Sequence, residues 1–593
     1  MNKNKRLLLV TTALEGTWGK SQDILFLGEW CKKFSRRHVW GKRNSITQTA
    51  DWSDRAKLAN DYEYISELYE RILAWLVIEM NRLHEVNHTS RYWRIVIGPW
   101  LLTYIPVIWN RWEEIRRVLS ENDNISTFIP DMKYVRPPAF NYQNSMNLMV
   151  DDKWNYLLFI EILKRMKSDR ISFYQIPIEV NIRTTTPAKN KIIKYNISTI
   201  IDGLLDKLNY KNSYKVVLHA SYFPIYELIR LMFSIGSIPR LFMKFNVPIQ
   251  SSKFDSKLRS TIRSDIKFKS PFETFLIDII GKDLPIVHVE GYRDLIGKIK
   301  QLPKTQIIMT AVSHFTNEVF KVWSAKRVED GATLIISSHG GSLTEKYRDL
   351  NHENIISDIK VVWSRPYLKN HIQLPPQKII GKLKTNRKKI TLIGLEFPRY
   401  TERIKSGPDG PLMLEEFEQK KEFIDNLSDR TRSDFVVRPP YPERGDGGWE
   451  TSDRYKDLYG DDIISINTSA KLIDDYQSSR LIICSYPQTT FSEAMHSEIP
   501  TILLYLDECW ELQPLFDDLI KKLKSEKIIF SSSYEAAIHV NSIQEDPYIW
   551  WNQESVIEAR EMFFDVCGWN AGKDKITEWS NFLKKTLKNR KLN

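Results

Sequence analysis

Between Ser479 and Asp507 the chain reads SRLIICSYPQTTFSEAMHSEIPTILLYLD. The run LIIC is short, apolar and rich in β-branched residues, the signature of a fully buried strand. A polar turn, SYPQ, follows it; FSEAMHS then opens a helix and IPTILLYLD forms a second strand. Strand, turn, helix and strand in that order, with no polar alternation in the strands, predict a parallel α/β unit. The helix start brings Thr489 and Thr490 together with backbone N–H groups that have no partner inside the helix, and both these groups and the helix dipole favour a phosphate there. Glu493, one turn on, is placed to accept hydrogen bonds from a ribose diol. The same residues also suit plain N-capping by Thr490 and a solvated Glu493.

Further strand-like runs precede this unit: ITLIGLEF, SDFVVRPPYP and DDIISINTS, introduced by the basic stretch Lys382–Lys389, KLKTNRKK, which reads as a linker. Arg399 and Arg438 close or follow two of these runs, and their planar guanidinium forks suit a phosphate or a carboxylate, which makes them candidate donor contacts. The range 381–547 is therefore expected to be a nucleotide-binding α/β lobe. After it, 548–593 reads helical and carries Trp550, Trp551, Phe563, Phe564 and Trp569. Such a tail would brace the lobes.

The N-terminal range repeats the pattern. RLLLVTTAL predicts a first buried strand whose C-terminal edge faces a ligand cleft, followed by the loop carrying Glu15, Trp18 and Lys20. Glu15 is a candidate base for an acceptor hydroxyl, and Trp18 and Lys20 are candidate acceptor contacts. From about 50 to 190 helical spacing dominates, as in SELYERILAWLVIEMNRLHE, and an inserted helical subdomain is expected there. Its segment RYWRIVIGPW, Arg91–Trp100, reads either as a basic, aromatic binding edge or as packing. Strand-like runs return near Val216, Val287, Ile307 and Ile335. The last, ATLIISSHGGSLTEKYRD, delivers His339 to a sheet edge as a candidate acid or base, and Gly340 and Gly341 let backbone approach a donor closely. The range 1–380 is expected to be the acceptor-side lobe.

Bulk properties agree with two large lobes and a cleft between them. The chain has 593 residues, more than one compact core holds. With 42% hydrophobic and 27% charged residues it is of ordinary globular composition. Lys and Arg number 86 against 74 Asp and Glu, a net +12 that favours anionic partners: a nucleotide donor, an anionic glycan or an acidic membrane surface. No nucleic-acid module is recognisable, and nucleic acid is not an expected partner. Cys31, Cys484, Cys509 and Cys567 make neither a CxxC pair nor a zinc pattern, which points to a reducing compartment. The longest apolar stretch, Pro99–Trp109, is about half a membrane span. A cytoplasmic protein is expected, with peripheral contact to the inner membrane left open. No DxD-type metal site stands out, and no cofactor is expected beyond the donor as co-substrate.

Several of these segments, LVTTALEGTW, RYWRIVIGPWL, ISSHGGSLTEKY with ISDIKVVW, SRLIICSYPQTTFSEAMHSEIPTILLY and PYIWW, resemble a transferase family of bacterial surface-polysaccharide gene clusters. That family was first catalogued in spirochaetes and is distantly similar to capsule-synthesis GT-B glycosyltransferases. The chain departs from it at Ser338, where glutamine is common, and at the WSRP segment, where tryptophan or glycine often follows the preceding strand. The resemblance implies an α/β, GT-B-like fold: two Rossmann-type lobes, an inserted helical subdomain and a C-terminal helical tail. It also implies that the nucleotide of the lobe 381–547 carries a sugar, and glycosyl transfer from that nucleotide sugar to a glycan or lipid-linked glycan, such as O-antigen or capsule, with a CMP-linked acidic sugar as one donor. A CDP-polyol phosphotransferase and a polyanion-binding scaffold are the alternative expectations.

Overall fold

The computed structural model describes residues 6–131, 134–182, 213–237, 245, 249, 253–262, 270–341, 343–378, 380–384, 388–440, 445–465, 471–568 and 574–589. Among the described residues, three five-stranded sheets, parallel throughout, carry the fold. The first is ordered β3-β2-β1-β4-β5, from β1 (Leu7–Val10), β2 (Ile24–Phe26), β3 (Ser45–Thr47), β4 (Ile125–Pro130) and β5 (Ile171–Ile176). The second is β10-β9-β8-β7-β6, from β6 (Ser213–His219), β7 (Lys304–Thr310), β8 (Thr333–Ser337), β9 (Ile359–Val362) and β10 (His371–Gln373). The third is β12-β11-β13-β14-β15, from β11 (Lys389–Ile393), β12 (Phe435–Arg438), β13 (Ser479–Cys484), β14 (Thr501–Leu504) and β15 (Ile529–Phe530).

The second and third sheets are the two Rossmann-type layers of a GT-B-like arrangement. The first sheet is additional, and it corrects the expectation of a helical subdomain over about 50–190. That range does hold two long helices, Arg55–His84 and Ser90–Glu121. It also holds β4 and β5, and β4 pairs in parallel with β1, so the opening strand joins this sheet and not the second one. Sequence spacing shows an element's type but not the sheet it pairs into. Two further runs expected as strands read differently: residues around Val287 form a single 3-10 turn, Ile286–His288, and the described part of DDIISINTS, 461–465, holds a 3-10 turn, Asp461–Ile463, and an isolated bridge between Val437 and Ile464, the rest of that run lying outside the described residues. Both are apolar runs too short for periodicity to separate strand from buried turn.

Helix Ser90–Glu121 is the spine between the first two sheets. Tyr92, Trp93, Trp100 and Ile105 on it are buried, so Arg91–Trp100 packs as core and presents no binding edge. At Gly98 a Cβ would lie 2.8 Å from both the His352 ring and the Tyr69 hydroxyl, so only glycine allows this close approach to the second sheet's helices. Residues of the first sheet, this spine and one face of the second sheet share one apolar core; the third sheet has its own. Helices Pro547–Trp551 and Glu554–Val566 pack Trp550, Trp551 and Phe563 into the third sheet's core. The terminal helix Lys575–Asn589 instead joins the outer face of the second sheet, burying Ile576, Trp579 and Leu583. Trp569 and residues 385–387 of the basic linker lie outside the described residues. No helix among the described residues is long and apolar enough to cross a membrane.

Candidate functional site

In open parallel sheets, ligands sit beyond the C-terminal ends of the strands at the point where strand order reverses. In the third sheet that point lies between β11 and β13. The loops leaving them supply Leu395, Phe397, Tyr486, Gln488 and Thr489 to a cleft of about 630 Å³. The second sheet closes the other side with Val312, Phe315 and Thr316 after β7, and with His339, Glu345, Arg348 and Asp349 after β8. A cleft of this size suits a small organic ligand.

The two strongest sequence signals meet here. Gly341 donates its N–H to Thr489 Oγ1 at 2.8 Å, joining positions 148 residues apart. Gln488 donates its side-chain amide to Glu345, which also accepts from Arg348 at 3.0 Å. Beyond these, Thr344 accepts the Gln513 N–H at 2.9 Å and Lys346 donates its N–H to the Glu511 carbonyl at 2.7 Å, so residues 343–346 lie along the loop that follows β14 of the third sheet. Close approach explains the glycines: a Cβ on Gly340 would sit 2.2 Å from Thr489 Oγ1, and Gly341 has φ +74. Helix Thr489–His496 starts at the cleft wall with no side chain capping it. Thr489 faces the cleft; Thr490 turns inward, with its Oγ1 against Tyr486 and its carbonyl accepting from Tyr476.

Three cations line the cleft, and sequence reasoning named none of them: Arg348, Arg403 and Lys405. Arg403 pairs with Asp349 at 3.2 Å and Glu402 at 3.3 Å. Lys405 lies 3.4 Å over the Phe397 ring and 3.8 Å from Asp409. Burial pushes the Lys405 ammonium below its ordinary value, against the opposing pull of Asp409. Asp349, Leu350 and Asn351 all have left-handed backbone, φ 41, 45 and 55. Each such residue costs roughly 1–2 kcal/mol, and strain of this kind collects at functional sites. A buried ion cluster lies beside them, where Glu353 holds His314 at 2.9 Å and also Lys360. Burial alone would raise the Glu353 carboxyl, but Lys360 and His314 outweigh it and hold it well below its usual range.

His339 lines the cleft with its Nδ1 buried and, among the described residues, without a hydrogen-bond partner. Burial lowers its pKa to about 4, so the ring is neutral at physiological pH. Tyr222 stacks beyond it, ring centroids 6.5 Å apart.

The remaining sequence candidates are not among the residues lining the cleft. Glu15 accepts from the Nε and Nη2 of Arg36, at 2.5 and 2.7 Å, which lowers its pKa. Trp18 is a core residue, its indole N–H on the Thr12 carbonyl, with no face for an acceptor; Lys20 is exposed on the same loop. Arg399 is fully buried and bonds Asp152, Trp30 and Asp446, so it ties the first sheet to the third and leaves no fork for a donor. Arg438 is buried against Asp475. Glu493 lies mostly buried behind the helix start, its pKa raised by burial and drawn back by Lys378. Among the described residues, no group of three or more His, Cys, Asp or Glu is arranged to hold a metal.

The model of the LIC12162 family transferase matches residues 7–583. The chain belongs to that family. No curated protein matches this family member by sequence. Among solved structures, S. aureus MnaA with UDP aligns at 11% identity and a TM-score of 0.35, over 63% of this chain and 97% of that one. A protein assigned as a UDP-N-acetylglucosamine 2-epimerase from Listeria monocytogenes aligns at 10% identity and a TM-score of 0.33, over 66% and 92%.

Proposed function

We propose that this transferase moves a sugar from a nucleotide-activated donor to a surface-glycan acceptor, in the cleft between the second and third sheets. The observation that carries this reading is the meeting of His339-Gly340-Gly341 with Gln488-Thr489 beside Arg348, Arg403 and Lys405. The donor phosphate lies at the uncapped helix start, where N–H groups and the dipole favour an anion. The cations are held at the cleft wall by carboxylates, and their remaining N–H groups can add charge-assisted bonds to a phosphate. They and the helix start then stabilise charge developing on the leaving group. His339, kept neutral by burial, accepts the proton of the acceptor hydroxyl, and a phosphate nearby raises its basicity toward the useful range. The overall +12 charge favours an anionic donor such as a CMP-linked acidic sugar.

The test is a thermal-shift series with CMP, CDP, UDP and GDP on the full chain, followed by product analysis with the nucleotide that stabilises it. His339→Gln should keep the stabilisation and lose turnover by 10²-fold or more, the scale of general-base catalysis. No stabilisation by any nucleotide refutes the reading. A phosphodiester in the product reassigns the reaction to phosphoryl transfer.

A further inference from the structure

The loop after β6 and the helix that follows it leave a set of large apolar side chains in water. Tyr222, Ile225, Tyr226 and Phe233 are 49%, 60%, 69% and 66% exposed, whereas Leu231 and Met232 of the same helix, Ile225–Ser234, are buried. Ala220 and Tyr222 both take left-handed backbone, φ 46 and 63, which holds Tyr222 out at the cleft beside His339. One end of this ridge is therefore the cleft mouth.

Its other end is basic. Ser234 Oγ lies 2.9 Å from Ser580 Oγ of the terminal helix, and Lys584 and Lys588 continue the stripe that Ser580 begins. Lys584, Lys585 and Lys588 are exposed, as is Lys215, which reaches the Gly236 carbonyl at 3.3 Å, two residues past Ser234. Of the acids nearby, Glu227 is matched by Lys575 and Asp574 by Arg230 at 3.5 Å, and Glu578 on the terminal helix is outnumbered by that helix's lysines. An apolar ridge bordered by lysines that have no acid partner among the described residues combines the two signals that stable peripheral binding to a bilayer needs.

We infer that this face docks on an anionic lipid bilayer, setting Tyr222–Phe233 among the headgroups with the lysines of the terminal helix against anionic lipid. Docked this way, the cleft opens at the membrane, where a lipid-linked acceptor would be presented. The docking itself does not depend on which group is transferred.

Flotation of the full chain with phosphatidylcholine vesicles, with and without phosphatidylglycerol, tests it. Binding is expected only to the anionic vesicles. Lys584→Ala, Lys585→Ala and Lys588→Ala together should weaken it on the order of 100-fold, and Tyr226→Ser with Phe233→Ser at least tenfold. These side chains are exposed, so circular dichroism and the melting temperature should stay unchanged. Equal binding to neutral vesicles, or anionic binding that survives both sets, overturns the inference. A dimer in sedimentation that Tyr226→Ser and Phe233→Ser dissociate would give the face to a second copy of the chain, and also overturns it.

Discussion

Replacing Gly340 with alanine probes the contact between the two motifs directly. The new Cβ would lie 2.2 Å from Thr489 Oγ1 but 3.5 Å from Thr489 Cβ. The first distance is short by more than about 1 Å; the second is ordinary contact. Relief requires the Thr489 hydroxyl to swing away, which breaks its 2.8 Å bond from the Gly341 N–H. An N–H left unpaired out of water costs about 1–3 kcal/mol. Thr489→Ala removes the same hydroxyl and loses the same bond, at a similar cost. Because the clash and the lost bond share one atom, Gly340→Ala with Thr489→Ala should cost no more than Thr489→Ala alone. Urea unfolding followed by tryptophan fluorescence reads all three variants against the parent chain. The interaction energy of the cycle should be about 1–3 kcal/mol in the rescuing direction. Costs that add to within about 0.5 kcal/mol, the behaviour of sites that do not touch, would refute the apposition on which the site rests.

Lys405→Met should raise the dissociation constant of the stabilising nucleotide about tenfold or more, the loss of one charge-assisted contact, measured by calorimetry. Arg399→Met takes the buried guanidinium from Asp152, from the buried Trp30 carbonyl and from the part-buried Asp446 carbonyl. It should cost roughly 3–5 kcal/mol in urea unfolding yet leave nucleotide affinity within about twofold, since its role is to join sheets. His84, His219, His288, His339, His371, His496 and His539 are each held by burial at about 4, against 6.5 in the unfolded chain. As pH falls the unfolded chain takes up those protons first. This contribution is complete above pH 6.5 and is lost as pH drops toward 4, at about 1.4 kcal/mol per unit for each histidine. Melting temperature should fall steeply from pH 7 to 5, and a flat profile would contradict the burial of these rings.

The strand and helix content of the third sheet was readable because LIIC, TILL and ITLI are buried on both faces, and a strand so buried must be apolar throughout. The helix start at Thr489 and the turn His339-Gly340-Gly341 were readable for a local reason too: chain direction changes there, and turns and caps select their residue types. The cations of the site were not. GLEFPRYTERIK offers Arg399, Arg403 and Lys405 within seven positions, and nothing local separates the arginine buried under Asp152 from the one facing the cleft. RYWRIVIGPW is likewise basic and aromatic whether it packs or binds. Sheet membership of the opening strand was equally hidden, because β1 has the same apolar pattern whichever neighbour it pairs with. Local propensity and burial are written into short stretches of chain, and these determined the element types and the two motifs. Which loop meets which across a cleft depends on contacts between residues more than a hundred positions apart, and only the folded chain decides them.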